Sequence, residues 1–224
     1  MKNKKILLGV ALAVIAGLLL YKKVKADIGG EIGVSYVSEH LFRGTVKSSN
    51  NVQGSIGTAV SVIDGLVVDV EGLYTGSVDG DTRELDVDLG TSFTVTKGLQ
   101  FNAGTVIYEY FNSSLSTDVE LYAGLQLTAV PLQPNVTLFH NTRTDVNTVE
   151  GSIVKDLDVG IEDLSVDVTG VVGDSGGVTY YGAVLGARYS VTDELSLTAN
   201  LATVKNYTEG NKDTSYTVGL NYLF

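Results

Sequence analysis

Apolar and polar residues alternate along most of this chain after residue 26, with the period of two expected for a β-strand that has one apolar face. The clearest case is the final stretch, TSYTVGLNYLF. Large apolar or aromatic side chains stand there at every second position, and the residues between them are mostly small or polar: the large set is Tyr216, Val218, Leu220, Tyr222 and Phe224. Such a strand must bury its apolar face either in a protein core or in lipid.

Turn residues divide the rest of the chain into twelve segments of similar length. Tight connections such as Asp64-Gly65 and Lys97-Gly98 alternate with longer polar ones such as GTVKSSNN, SVDGDTR and NSSLST. This alternation predicts an antiparallel up-and-down meander with longer loops at one end. The predicted strands cover residues 32–43, 52–63, 66–76, 84–95, 99–110, 118–129, 135–144, 149–157, 164–172, 178–191, 195–206 and 214–224.

The first 26 residues differ in character from all that follows. MKNKK is basic, ILLGVALAVIAGLLL is an unbroken apolar run, and Val24 and Ala26 have the spacing of a signal-peptidase site. This pattern predicts a signal peptide over residues 1–26 with cleavage after Ala26. A retained anchor is the alternative, although a helix of 15 residues rises only about 22 Å, short of a hydrocarbon core of roughly 30 Å. Residues 27–224 are predicted to form one exported domain.

An exported meander of about twelve strands can close as a membrane barrel, which removes unpaired sheet edges. A soluble sandwich would show the same alternation with its apolar face turned inward. Tyrosines near predicted strand ends (Tyr181, Tyr189, Tyr216 and Tyr222) favour the membrane, because aromatic girdles mark its interfaces. An aromatic last residue resembles the signal read by the barrel-assembly machinery. We therefore predict an all-β, transmembrane antiparallel β-barrel in the bacterial outer membrane, with both mature termini in the periplasm.

Charge is distributed unevenly between the two faces. The predicted signal holds six of the 15 basic residues, so nine remain against 26 acids, a net charge of −17 for residues 27–224. Such a surface repels nucleic acid. Parity along the strands directs most charged residues, and one tyrosine, toward the lumen: Glu39, Arg43, Asp69, Glu71, Glu84, Asp86, Asp88, Asp118, Glu120, Tyr122, Arg143, Glu150, Asp156, Asp167 and Arg188.

This acidic wall predicts a porin-like channel for passive diffusion of small cationic or neutral solutes, because carboxylates lower the energy of cations in a narrow pore. The alternative is a lumen plugged by arginines bonded among the carboxylates, in a non-conducting barrel whose external loops contact a ligand, a cell or a phage. A twelve-stranded barrel lies between the filled small barrels and the open large ones. Calcium held by the acids of strands 3 and 4 is a weaker alternative; we expect no cofactor and no resident metal.

An enzyme is not expected. The two histidines, His40 and His140, fall on the outward face by parity, and no serine block accompanies His140. GDSGG at residues 173–177 is interpreted as a turn. There is no cysteine, which excludes disulfides and thiolate chemistry. Lys155 falls on the lipid face, so we expect a bulge or register shift in strand 8.

Several blocks in residues 32–145 resemble the TorF family, a proteobacterial family of outer-membrane barrels assigned as porins. In SYVSEHLFRG, five residues match the family's first-strand motif: Ser38, Leu41, Phe42, Arg43 and Gly44. Glu39 and His40 depart from that motif. VQG at residues 52–54, ELDVDLG at residues 84–90, Gly104 with Tyr108 and Tyr110, and ELYAG at residues 120–124 fit later blocks. The resemblance implies a porin-like outer-membrane barrel and fades after residue 145.

Overall fold

The computed structural model describes residues 29–80, 82–111 and 116–224, which form one closed barrel of twelve antiparallel strands. Each strand pairs with the next in sequence, and β1 pairs with β12. The twelve predicted strands are confirmed, while the predicted signal peptide lies outside the described residues. The strands are β1 Gly30–Phe42, β2 Thr45–Ile63, β3 Leu66–Ser77, β4 Arg83–Thr96, β5 Leu99–Phe111, β6 Asp118–Leu127, β7 Asn135–Asn141, β8 Val146–Leu157, β9 Leu164–Ser175, β10 Val178–Ser190, β11 Leu195–Asn206 and β12 Lys212–Leu223.

The seam between the first and last strands closes the barrel. Its ladder runs from Glu31↔Leu223 to Val37↔Thr217. Beyond it, Gly30 and Phe224 exchange two backbone hydrogen bonds of 3.0 and 2.9 Å. A Cβ at Gly30 would lie 2.5 Å from the Phe224 ring, so a larger residue there would displace this ring from its position. We call this end of the barrel the terminal end and the opposite end the far rim.

The distribution of side chains is inverted relative to a soluble protein. In the described part of the chain, only Val37 and Tyr180 are buried hydrophobic residues, whereas several polar residues, among them Asn51, Thr75 and Glu120, are almost fully buried. Large apolar side chains cover the exterior on every strand, and representative members are Val34, Ile56, Val68, Phe93, Leu121, Leu138, Ile153, Val172, Leu185, Leu201 and Val218. An apolar exterior around a polar interior is the arrangement of a barrel embedded in a bilayer, as in bacterial outer membranes.

Tyrosines mark the two edges of this apolar belt. Tyr181 and Tyr216 lie toward the far rim, Tyr189 and Tyr222 toward the terminal end, and all four are about half exposed on the exterior. Tyr181 and Tyr189 are eight residues apart in β10, or about 26 Å along a strand. A strand tilt near 40° reduces this to about 20 Å, close to the height of the apolar band in outer-membrane barrels.

Loop lengths differ from the sequence-based prediction. Residues 45–51, expected in a loop, extend β2 instead, and β1 and β2 meet at the two-residue turn Arg43-Gly44. Both turn residues have positive φ (47° and 79°), as tight hairpin turns require. Gly176-Gly177 forms a second two-residue turn at the far rim. The expectation that connections at this end tend to be longer therefore fails for these two hairpins.

The predicted bulge in strand 8 is also wrong. β8 pairs with β7 and β9 without a register shift, and Lys155 stands opposite Val168 on the exterior. The neighbouring Val154 donates its backbone N–H to Leu132 in the β6–β7 connection at 2.9 Å. Lys155 is thus level with a turn at the terminal end, where its long side chain can reach the interface without distorting the strand. No helix among the described residues is long and apolar enough to cross a membrane.

A pair of neighbouring substitutions tests the inverted distribution. Leu201 lies on the apolar exterior and is 53% exposed, while the preceding Asn200 faces the lumen beside Asp167 and Gly186. Leu201→Arg should lower the free energy of unfolding by about 2–4 kcal/mol because it places a cation in lipid. Asn200→Arg should change it little. Denaturant unfolding in lipid vesicles measures both, and equal losses would contradict the assigned faces.

Candidate functional site: the barrel lumen

The β1–β2 hairpin leaves the barrel wall near the far rim. The β1–β12 ladder stops at Val37↔Thr217, although β12 extends farther toward the far rim, to Lys212. The β2–β3 ladder begins at Asn51↔Ser77. Between these points β1 and β2 pair only with each other. We call residues 38–50 the inner hairpin, because its tip contacts strands on other sides of the lumen.

Local backbone features direct this segment inward. His40 pairs with Ser48 and Leu41 with Val46, so Lys47 is the extra residue of a bulge in β2, and bulges bend strands and increase their twist. In β2, Asn50 adopts a positive φ of 54°, a conformation that asparagine tolerates better than most residues. Both irregularities thus lie in β2, three residues apart, and β1 follows β2 through its ladder.

Side chains satisfy backbone groups where the inner hairpin separates from β12. Tyr216 donates its N–H to Ser38 Oγ at 2.9 Å, and Glu39 donates its N–H to Ser215 Oγ at 3.2 Å. On the β2 side, the fully buried Asn51 accepts a hydrogen bond from Ser48 Oγ at 2.7 Å. The base of the hairpin is thus hydrogen-bonded despite the interruption of the ladder.

Arg43, at the tip, binds the opposite wall. Its two terminal nitrogens donate to the two carboxylate oxygens of Glu120 on β6, at 2.7 and 2.6 Å. The side chains are only 13% and 2% exposed, and Tyr108 donates a third hydrogen bond to Glu120 at 3.1 Å. The guanidinium also lies over the rings of Phe42 and Phe139, 4.7 and 4.6 Å from their centroids. This is a buried, two-point ion pair between two aromatic faces.

Gly44 packs against a third part of the wall. A Cβ at Gly44 would lie 2.6 Å from Cβ of Tyr180 on β10, so the contact requires glycine. Tyr180 is 2% exposed and donates its hydroxyl hydrogen to Glu150 at 2.6 Å. Its ring covers Gly173, where a Cβ would be 2.5 Å from ring atoms. The tip therefore touches β6, β7 and β10 and spans the lumen.

A cavity of about 460 Å³ lies between the inner hairpin and the wall formed by β4 to β8. His40, Phe42 and Lys47 line it from the hairpin, and Glu84 and Tyr110 line it from the wall. The prediction that His40 faces lipid is wrong, because the inner hairpin has left the wall and strand parity there no longer separates lipid from lumen. Among the described residues, no group of three or more acidic or histidine side chains is arranged to hold a metal ion.

A second group of acids lines the wall nearer the terminal end. Asp69 and Glu71 on β3 stand beside Asp88 on β4, which accepts a hydrogen bond from Tyr122 at 3.1 Å. Tyr122 reaches over Gly104, where a Cβ would lie 2.5 Å from its hydroxyl. None of the three acids has an ion-pair partner in the described part of the chain.

The other two predicted lumen arginines are also paired. Arg143 bonds both carboxylate oxygens of Asp118 at the far rim. Arg188 binds Glu31 at 2.5 Å and Ser196 at 2.9 Å toward the terminal end. Asp167, also toward the terminal end, lies beside Gly186. The predicted residues thus separate into a paired set around the inner hairpin, an unpaired acidic set and a small terminal set.

Sequence reasoning missed several residues that organise this interior. Tyr180 and Glu31 follow the alternation of their strands and could have been found by parity. Phe42 and His40 could not, because the inner hairpin leaves the wall and parity there no longer separates lumen from lipid. The contact between Arg43 and Phe139 joins segments far apart in sequence, and no local pattern predicts it.

His140 lies on the exterior as predicted, where its Nδ1 is 3.0 Å from Oδ1 of Asn147 on the paired strand. The nearby Thr142 hydroxyl donates to the carbonyl of Val119 at 2.9 Å rather than to the histidine. The expectation that the chain is not an enzyme stays a prediction.

Solved structures of similar fold come from the outer membrane. The NanC porin is 10% identical over 86% of this chain and 98% of its own, with a TM-score of 0.55. The KdgM porin has the same identity and coverage and a TM-score of 0.58. An outer membrane channel from Pseudomonas putida is 10% identical over 88% of this chain and 95% of its own, with a TM-score of 0.54.

At this identity the likeness concerns the fold, which is confirmed as an outer-membrane β-barrel. No family model matches the chain, and no curated protein matches its sequence. The resemblance to the TorF family is therefore supported as far as a porin-like barrel, and membership of that family stays a prediction.

Removing the Arg43 guanidinium should loosen the inner hairpin. Arg43→Ala leaves the Glu120 carboxylate buried without a counter-charge, which costs about 3–5 kcal/mol in such sites. We expect much faster hydrogen–deuterium exchange at the backbone amides of residues 39–49. Arg188→Ala is the control, since that pair is 40% and 35% exposed and lies elsewhere. Similar exchange in both variants would show that Arg43 does not hold the hairpin.

Two turn glycines offer a matched test of the contact with Tyr180. Gly44 and Gly177 both have positive φ, 79° and 88°, but a Cβ at Gly177 would meet nothing within 4 Å. Alanine at either position adds backbone strain of about 1–2 kcal/mol. Only Gly44→Ala also clashes with Tyr180. Gly44→Ala should therefore accelerate hydrogen–deuterium exchange in the inner hairpin by more than the backbone strain alone would cause. Equal effects would exclude tight packing at the tip.

Proposed function

We propose that this chain is an outer-membrane channel for passive diffusion of small cationic or neutral solutes. The unpaired acids Asp69, Glu71 and Asp88 carry the proposal. Carboxylates on a low-dielectric wall attract cations and repel anions unless neighbouring cations neutralise them. Here Arg43, Arg143 and Arg188 are bound to other acids, so the field of the three unpaired acids remains directed into the lumen.

The negative field of these three acids also indicates which class of solute the lumen would pass. The KdgM porin has been solved in complex with disordered oligogalacturonate, a chain of carboxylated sugars. A polyanion would be repelled by Asp69, Glu71 and Asp88. We therefore assign this chain a different solute class and keep the porin-like barrel as the common feature.

A non-conducting barrel is the second candidate, and the inner hairpin favours it. The hairpin tip crosses the lumen and binds three strands through Arg43 and Gly44. A barrel fixed in this state would serve as a structural protein or present its far rim to a ligand, a cell or a phage.

The orientation follows from the assembly of such proteins. We propose that both termini face the periplasm and that β12 carries the signal read by the barrel-assembly machinery. Its outward residues Tyr216, Val218, Leu220, Tyr222 and Phe224 are each 44–57% exposed.

Planar-bilayer recording tests the channel and its selectivity. We expect stepwise conductance with cation preference, and a severalfold lower cation-to-anion permeability ratio when Asp69→Asn, Glu71→Gln and Asp88→Asn are combined. The control neutralises three exposed acids in turns at the terminal end: Asp158→Asn, Glu162→Gln and Asp193→Asn. Unchanged selectivity in the first variant would show that Asp69, Glu71 and Asp88 do not set the ion selectivity. Silence of folded protein would favour the non-conducting barrel.

A further inference from the structure

We propose that the inner hairpin is a gate, closed in this structure, and that the Arg43–Glu120 ion pair is its latch. The inference rests on the proposed channel and adds its regulation. In the closed state the hairpin lies across the lumen beneath the far rim. In the open state residues 38–50 swing away from β6, β7 and β10, and the acidic wall becomes accessible to solutes.

The barrel does not need the hairpin for closure. β1 joins β12 through residues 31–37, and β2 joins β3 from residue 51 onward. These ladders lie below the inner hairpin and stay intact when it moves. Opening therefore leaves the seam below Val37 fully paired.

The base of the hairpin has features suited to a hinge. On one side, the backbone ladder between β1 and β12 ends at Val37, and only the hydrogen bonds of Ser38 and Glu39 with Ser215 and Tyr216 lie beyond it. On the other side, Asn50 has a positive φ, and its carbonyl accepts the N–H of Val78 at 2.8 Å. Between these points the hairpin pairs only with itself, so it can rotate as a unit.

The latch can open at moderate cost. A buried ion pair gains attraction but loses hydration, and the two terms nearly cancel. When the hairpin swings out, Arg43 and Glu120 both regain water. This differs from Arg43→Ala with the hairpin in place, which leaves one charge buried alone. The closed and open states can therefore differ by a few kcal/mol, the range in which both are populated.

The composition of the hairpin suits both states. SEHLFRGTVKSSN contains one acid, Glu39, and two cations, Arg43 and Lys47. Its large apolar residues are few, and Val46 and Lys47 are already exposed. In the closed state Glu120 balances the charge of Arg43, and the exposed Lys47 adds a positive charge at the far-rim end of the passage, where it opposes cation entry. Movement of the hairpin removes this barrier together with the steric one.

Three variants in planar bilayers test the gate. In the first, residues 39–49 are replaced by Asn-Gly, which joins β1 to β2 below the latch. The second is Arg43→Glu, which places like charges at the tip, and the third combines Arg43→Glu with Glu120→Arg to restore the pair in reverse. Heat-modifiable migration confirms that each protein is folded.

We expect the shortened variant to be open throughout and Arg43→Glu to raise the open fraction roughly tenfold or more. The reversed pair should return to within about twofold of the wild type, because it restores the coupling between the two sites. Wild-type conductance in the shortened variant would overturn the gate and leave the channel intact. Silence of the folded, shortened variant would instead overturn the channel.

A reversible lock gives an independent measurement. The chain has no cysteine, so Gly44→Cys with Tyr180→Cys introduces the only pair. Their Cβ positions are closer than the usual disulfide separation of about 3.8 Å, and removal of the tyrosine ring provides space to relax. Oxidation should silence the channel, and a reducing agent should restore conductance in the same membrane. Conductance that is unaffected by oxidation, with the crosslink shown by mass spectrometry, would exclude gating by the hairpin.

Discussion

The structure depends on one constraint: backbone hydrogen-bonding groups facing lipid must find partners within the protein. The seam between β1 and β12 satisfies it for the two strands that would otherwise form edges. This explains why the apolar alternation continues to the last residue. Phe224 is part of the seam, and Gly30 is small because the Phe224 ring lies against it. Closure also determines where charge can lie, since a carboxylate on the exterior would face hydrocarbon while one on the interior faces the lumen.

Lumen charges then divide by their distance from the inner hairpin. Near the far rim, Glu120 and Asp118 are bound to arginines, and the hydrogen bonds fix both partners. Farther down, Asp69, Glu71 and Asp88 have no cation beside them. Acids in ion pairs fix the positions of side chains but add little to the electrostatic field of the lumen. Unpaired acids add to that field and repel one another. The proposed passage of cations depends on the field of this unpaired group.

The barrel and its faces could be predicted because a period of two is local information. Any strand with a regular pleat reveals its two sides, which is why Leu185 and Val218 were placed outward and Glu120 inward. The inner hairpin could not be predicted in this way. Its direction depends on the bulge at Lys47 and the positive φ of Asn50, and neither has a unique sequence signature. Parity assigned the wrong face to His40 because that residue lies on the segment that leaves the wall. The partner of Arg43 depends on which strands lie opposite each other, which is known only after closure.

Barrel width connects the hairpin to the proposed function. Eight strands enclose a space that side chains fill, and 16 or more leave an aqueous channel. Twelve strands leave a lumen too wide for single side chains but narrow enough for one hairpin to cross. A chain of this size can therefore be closed by a segment of its own wall, provided that the wall remains continuous below it. The ladders from Val37 and Asn51 toward the terminal end meet that condition. The inner hairpin blocks the lumen, whereas the ladders below it close the barrel. Only these ladders must stay formed for the barrel to remain closed on itself.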